Sequence, residues 1–262
     1  MPDRQPHDQE QVFNCRCRFS PSDSDICAVQ KADLLTPIYA VIVAGGLGTR
    51  MGTAMPKQFL DLAGKPVLYH TIKAFVQAVP GVHLVLVLPP HQISYAQMIL
   101  QEFPDRLDLT IVAGGETRYH SVQNGLRDIP EDALVMVHDG VRPLASAALI
   151  ERCLEQAAAK GSAIPCIPVS DSMRIVKNDD HQAVDRSALR IIQTPQTFQA
   201  SILLPSFQQP YQEAFTDEAS VVEASGKKVY LVAGERSNIK ITTPEDLLIA
   251  AALIGLNDQY EN

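Results

Sequence analysis

Tryptophan is absent from this chain of 262 residues, and aromatic side chains make up only 6% of it. So few flat surfaces exclude a single-strand or sugar reader built on stacking platforms. No apolar run approaches the ~18 residues of a membrane span. Basic tracts are missing too. Lys and Arg number 22 against 30 Asp and Glu, a net charge of −8, so non-specific nucleic-acid binding is not expected. The cysteines number five, and an odd count excludes a complete disulfide framework. What is present is 46% hydrophobic and 20% charged residues, ordinary for a globular protein with a sizeable core.

Three cysteines, Cys15, Cys17 and Cys27, lie near the start. They lack the paired C-x-x-C and His spacing of a zinc site. Cys153 and Cys166 sit in apolar stretches and read as small buried hydrophobes. Residues 1–37 show no hydrophobic periodicity and are expected to be a disordered extension. They carry no apolar signal-peptide core, and Asp3, Asp8, Glu10, Asp23 and Asp25 argue against a transit peptide. Free thiols without an export signal imply the cytoplasm.

At Ile38 the character changes. Ile38–Ala44 is a continuous β-branched apolar run that meets glycines at once, the pattern of a buried parallel strand entering a loop. Further strands are expected at His83–Leu88, Leu109–Val112, Ala133–Asp139, Ala163–Val169, Val229–Val232 and Ile239–Ile241. Helices are expected at Pro66–Val79, Ile93–Phe103, Ser121–Leu126, Leu149–Lys160, Glu218–Ala224 and Pro244–Leu256. This alternation predicts an α/β fold: a Rossmann-like, mostly parallel sheet with helices on both faces. Short polar–apolar stretches around Lys177–Asp180 predict a protruding β-arm at about residues 170–193. The chain therefore divides into the extension, one α/β domain over 38–257 and a short tail at 258–262.

The loop after the first strand, Ala44-Gly45-Gly46-Leu47-Gly48-Thr49-Arg50, exposes backbone N–H groups suited to phosphate. A dinucleotide fingerprint fails because the third glycine, Gly52, falls one residue late. A P-loop fails because Gly64-Lys65 is followed by Pro66. Arg50 and Lys57 instead place two cations beside the glycines, enough to neutralise a triphosphate and the charge developed in its cleavage.

With Pro56-Lys57-Gln58, this loop resembles the signature of the 2-C-methyl-D-erythritol 4-phosphate cytidylyltransferase family. Five further segments are similar to family motifs, in order: Gly114–Arg118 with Ser121-Val122, Val137–Pro143, Val184–Arg186 with Gln193–Phe198, Phe215–Ser220, and Asn238–Thr242. The resemblance covers about residues 38–255. It implies attack of a polyol phosphate oxygen on the α-phosphorus of CTP, with pyrophosphate released. It also implies Mg²⁺ and a homodimer whose arms reach into the partner subunit, with no nucleic-acid or membrane partner.

The resemblance assigns transition-state stabilisation to Arg50 and Lys57. CTP contacts fall to Ala44, Gly45, Gly46, Gly48, Thr49, Gly115, Glu116, Ser121, Asp139 and Arg142. Arg186 and Lys240 position the second substrate, and Ser172, Thr194 and Thr216 add polar contacts. Asp139 ends a buried strand, where a carboxylate binds Mg²⁺, caps a helix or pairs with Arg142. Lys240 interrupts an apolar stretch and so needs a partner or a ligand. His138 reads as structural, since an anionic attacking phosphate needs no base. Gly45 and Gly140-Val141 replace alanines frequent in the family, and Ser172 replaces a frequent threonine. A different polyol phosphate such as ribitol 5-phosphate therefore stays open, as does a nucleotide-binding protein without catalysis.

Overall fold

A computed structural model of the chain describes residues 36–45 and 55–260, with side chains as far as residue 256. The expected extension at 1–37 lies almost wholly outside the described residues, as does most of the glycine loop.

Strand β1 (Ile38–Val43) is followed, past the loop, by a tiny hairpin, β2 (Asp61–Leu62) and β3 (Lys65–Pro66), and by helix α1 (Val67–Ala78). Next come β4 (His83–Leu88), α2 (Ile93–Leu100), β5 (Leu109–Ala113), α3 (Arg118–Gly125), β6 (Leu134–Asp139), α4 (Ala147–Lys160) and β7 (Ser162–Pro168). The arm is the antiparallel pair β8 (Met173–Lys177) and β9 (Asp180–Val184). The chain returns through β10 (Arg190–Ile192), β11 (Gln196–Gln199), α5 (Ala200–Ser206), α6 (Glu218–Ala224), β12 (Leu231–Ala233) and α7 (Pro244–Tyr260).

Strands β5, β4, β1 and β6 form a parallel core in that spatial order, with Val43 opposite both Val87 and Asp139. Strand β11 pairs antiparallel with β6 and β7, and β12 pairs parallel with β7. The continuous apolar strands are buried on both faces. Val41, Val85 and Val135 point to the side covered by α3, α5 and α6. Their neighbours Ala40, Ile42, Leu84, Leu86 and Met136 point to the side covered by α1, α2 and α4. Period-two alternation within one strand therefore feeds two cores, as expected of helices on both faces.

Local signals fix the helix ends. Ser146 Oγ accepts from Leu149 N–H at 3.0 Å to start α4, and Gly161 ends it with φ of 89°. Asp217 and Ser220 form a capping box at α6.

Several expectations shift. Ile239–Ile241 is not a strand: Ser237 O accepts from Ile239 N–H in a tight turn, and one backbone bond, Ile241 N–H to Val141 O at 2.9 Å, ties the segment to the body. Helix α3 begins three residues before the expected Ser121, because Thr117 caps it by accepting from His120 N–H. Helix α5 was not expected; it follows β11 directly and carries Pro205 inside. Helix α7 continues to Tyr260, beyond the expected end at Leu256. Cys153 is buried as expected, whereas Cys166 is half-buried.

Candidate active site

The carboxyl ends of β1, β5 and β6 converge on a cavity of about 300 Å³, where an open parallel sheet gathers ligands. Of the expected site residues, Ala44, Gly45, Lys57, Gly115, Glu116, Ser121, Asp139 and Lys240 line it. Gly46, Gly48, Thr49 and Arg50 lie outside the described residues. A second cavity of about 190 Å³ adjoins it and is lined by Arg142, Thr194 and Thr216. Arg142, expected among the CTP contacts, thus faces the second space. Arg118, Asp139 and Lys240 border both. Ser172 and Arg186 line neither; both are exposed on the arm, where Arg186 Nη1 donates to Ser170 O.

The wall of the first cavity is built locally. Gly115 N–H donates to Ser121 Oγ at 3.1 Å, and Ser121 Oγ donates to Thr117 O at 2.9 Å, closing the loop onto α3. A Cβ on Gly115 would stand 2.4 Å from His120 Cβ, so only glycine permits this close turn. Opposite, a short 3₁₀ turn over Lys57–Phe59 carries Lys57 into the cavity. Its neighbour Gln58 is pinned, donating from Nε2 to Ala44 O at 2.8 Å and to Gln92 Oε1 at 2.7 Å.

Asp139 is the electrostatic centre. Lys240 Nζ lies 3.0 Å from Oδ2, Arg142 Nε 3.4 Å from Oδ2, and Arg118 Nη2 3.4 Å from Oδ1. Burial pushes the carboxyl up, but Arg118, Lys240 and Arg142 outweigh it and hold Asp139 well below the usual carboxylate range. Asp139 therefore pairs with Arg142, one of the alternatives left open, and with two further cations. With Glu218 beside Arg118, three cations face two carboxylates. The cluster keeps one positive charge and suits a polyanion.

Thr194 is fixed under this cluster. Asp139 N–H donates to Thr194 Oγ1 at 3.1 Å, and His138 Nδ1 lies 3.0 Å from the same oxygen. His138 Nε2 lies 3.0 Å from Arg142 O. A carbonyl only accepts, so Nε2 carries the proton and Nδ1 accepts from the threonine. Burial pushes His138 down to about 4, so it stays neutral and structural, as expected. Because its folded pKa is depressed, its contribution is complete above the unfolded value near 6.5 and is lost as pH falls towards 4. We expect a stability drop of up to ~3 kcal/mol across that window. Thermal melts of the native chain and His138→Gln check this: the difference between them should shrink as pH falls from 6.5 to 4. A pH-independent difference would contradict it.

Two side chains at the site were not anticipated. Arg118 lay inside a matched motif without a role, and its partner Glu218 lies 100 residues further on. The only local signal was a cation in the first turn of a helix, where the dipole disfavours it.

Fold and site together are those of an α/β nucleotidyltransferase: a cavity at strand carboxyl ends, walled by Gly45 and Gly115 and by the cations Lys57, Arg118 and Lys240. Residues 38–255 match the family described as IspD: 2-C-methyl-D-erythritol 4-phosphate cytidylyltransferase, and the chain belongs to that family. A 2-C-methyl-D-erythritol 4-phosphate cytidylyltransferase of Phocaeicola vulgatus is 47% identical over 216 residues, covering 82% of this chain and 99% of the relative. One of Porphyromonas gingivalis is 48% identical over 217 residues, covering 82% and 97%. The crystal structure of 4-diphosphocytidyl-2C-methyl-D-erythritol synthase from Anaerococcus prevotii superposes with a TM-score of 0.71 at 27% identity, covering 84% of this chain and 99% of that one.

Proposed function

We propose that the chain transfers CMP from CTP to 2-C-methyl-D-erythritol 4-phosphate, giving 4-diphosphocytidyl-2-C-methyl-D-erythritol and pyrophosphate. The observation that carries this is the pair of adjoining cavities bordered jointly by Arg118, Asp139 and Lys240. CTP takes the first, with cytosine against Gly115, Glu116 and Ser121 and its phosphates towards Lys57. The polyol phosphate takes the second, beside Thr194, Thr216 and Lys240.

The geometry performs the transfer by positioning and charge. The attacking phosphate oxygen is already anionic, so no base is needed. Lys57, with Arg50 from the glycine loop, stabilises charge growing on the α-phosphoryl oxygens. Among the described residues no group of three His, Cys, Asp or Glu can hold a metal. Mg²⁺ needs less, since it is held by one or two carboxylates together with substrate phosphates. Asp139 would serve as that carboxylate for an ion arriving on the triphosphate, by giving up one of its contacts with Lys240, Arg142 and Arg118. Bound there, Mg²⁺ would neutralise phosphate charge.

The arm supports a homodimer. Met173, Ile175 and Val176 are 41–69% exposed on it, with Ile191 49% exposed on β10, and Arg186 and Ser172 sit away from both cavities of their own chain. A second copy that buries this surface would bring Arg186 to the partner's polyol site. We therefore expect Arg186→Ala to raise the KM for the polyol phosphate about tenfold or more, as for a lost charge-assisted contact, while sparing CTP affinity. Mixing this variant with Lys57→Ala should restore activity, because a hybrid dimer holds one intact site. No recovery after subunit exchange would contradict the shared site. Free thiols and CTP use fit the cytoplasm, and no described helix is long and apolar enough to cross a membrane.

The acceptor is tested by offering CTP and Mg²⁺ with either methylerythritol phosphate or ribitol 5-phosphate and measuring pyrophosphate. Release with the first alone is expected. Release with ribitol 5-phosphate alone would move the enzyme to another acceptor, and release with neither would leave a binding protein.

A further inference from the structure

Arg118 is the first residue of α3, where the exposed N–H groups of the helix favour anions and disfavour a cation. The chain nevertheless holds this guanidinium firmly. Nη1 donates to Glu218 Oε1 at 2.5 Å and Nη2 to Glu218 Oε2 at 3.1 Å, a two-pronged grip that fixes the guanidinium plane. Glu218 is fully buried. Burial pushes its carboxyl up and Arg118 pulls it back, leaving it above its ordinary value. Placing a carboxylate there is costly unless it serves its partner.

Glu218 is itself anchored. Gln196 Oε1 accepts from Ala219 N–H at 2.8 Å, and Gln196 Nε2 donates to Asp217 Oδ2 at 2.9 Å, bolting the start of α6 to β11. The other side of the guanidinium is held loosely, 3.4 Å from Asp139. The Arg118 side chain keeps 29% of its surface exposed, on the border of both cavities. This cation is clamped behind, open in front and on the border of both cavities, so it can reach groups bound in either.

We propose that Arg118 is a catalytic residue for the transfer, touching the α-phosphoryl group at the boundary of the two cavities, and that Glu218 is its positioning residue. This inference rests on the transferase reading above. As the substrate phosphate oxygen bonds to the α-phosphorus, the bond from that phosphorus to its β-bridging oxygen breaks. Pyrophosphate then leaves with the electron pair. Arg118 stays protonated throughout and supplies charge and hydrogen bonds to the equatorial oxygens. Glu218 keeps its plane from turning away.

The test is a double-variant cycle in the full chain, with pyrophosphate release measured at saturating substrates, CTP affinity measured calorimetrically, and thermal stability followed in parallel. Arg118→Gln is expected to lower kcat roughly 10²–10³-fold, and Glu218→Gln about 10²-fold by misplacing the guanidinium. CTP affinity should change far less. The double variant should match Arg118→Gln in kcat within about twofold. It should also melt higher than Arg118→Gln, since no buried carboxylate is left without its partner. Rescue of stability without rescue of rate is the signature of Glu218 acting through Arg118. Losses that multiply in the double variant, or a Glu218→Gln with native kcat, would overturn the inference. Arg118→Lys keeps a charge for Glu218 but not the fork; it should fold and lose about tenfold in kcat, and native activity would also overturn the inference. If the unaltered chain releases no pyrophosphate with either polyol phosphate, the transferase reading itself fails, a result distinct from an active chain with an additive cycle.

Discussion

Lys57→Ala lowers kcat by about 10³-fold while CTP binds nearly as before. Lys57 is 8% exposed, on the 3₁₀ turn whose next residue is fixed by Ala44 and Gln92 and whose last, Phe59, packs into the core beside α1. Its ammonium is therefore placed before the nucleotide arrives. Preorganised donors aimed at developing charge are worth roughly 10²–10³ in kcat each. A side chain buried to this degree belongs at the upper end, because little water competes with it. Ground-state CTP is held at many other points, so its dissociation constant should move little. Steady-state pyrophosphate release with a parallel calorimetric titration of CTP separates the two. Equal losses in affinity and turnover would make Lys57 a binding residue only, and an unchanged kcat would remove it from the chemistry.

Asp139→Asn should cost both stability and rate. Its carboxylate is the shared partner of Arg118, Arg142 and Lys240, and all three are left facing one another when its charge goes. Removing one partner of a buried pair costs ~3–5 kcal/mol. Solvent reaches Lys240 and Arg118, so we expect about 2 kcal/mol. Because the folded pKa is depressed, this contribution is present above the ordinary carboxylate value and is lost as pH falls below it. Denaturation at pH 7 and at pH 3 checks the sign: the native chain should be ahead of the variant at the first, and its lead should be smaller at the second. We expect kcat to fall roughly 10²-fold, since Arg118 and Lys240 lose their alignment. A variant of native stability and rate would contradict the role given to the cluster.

The strands were legible where burial is two-sided. In β1, β4 and β6 no polar residue interrupts the apolar run until the carboxyl end, so residue type alone marks the element and its depth. Helix α5 was hidden by Pro205 and by the missing gap after β11. The segment Ile239–Ile241 has strand composition but only one backbone tie, and pairing is not a local property. At the site, Gly45 and Lys57 line the first cavity, and both were legible because they belong to one short stretch of sequence. Lys240 was correctly expected to need a partner, although the expected strand around it is a loop. The service of Arg118 was not legible, since its meaning comes from Glu218, and only the docking of α6 against β11 brings the two together. Arg186 and Ser172 show the opposite limit: motif similarity assigns them to the site, and the fold of one chain leaves them outside it.

The central claim is that the cavity at the carboxyl ends of β1, β5 and β6 is the CTP site and that transfer occurs at its border with the second cavity. A crystal structure of the protein with CTP and Mg²⁺ tests this directly. Cytosine density against Gly115 and Ser121, with the α-phosphate reaching Arg118 and Lys240, is the expected result. Nucleotide bound in the second cavity, or with its phosphates pointing away from Asp139, would contradict it.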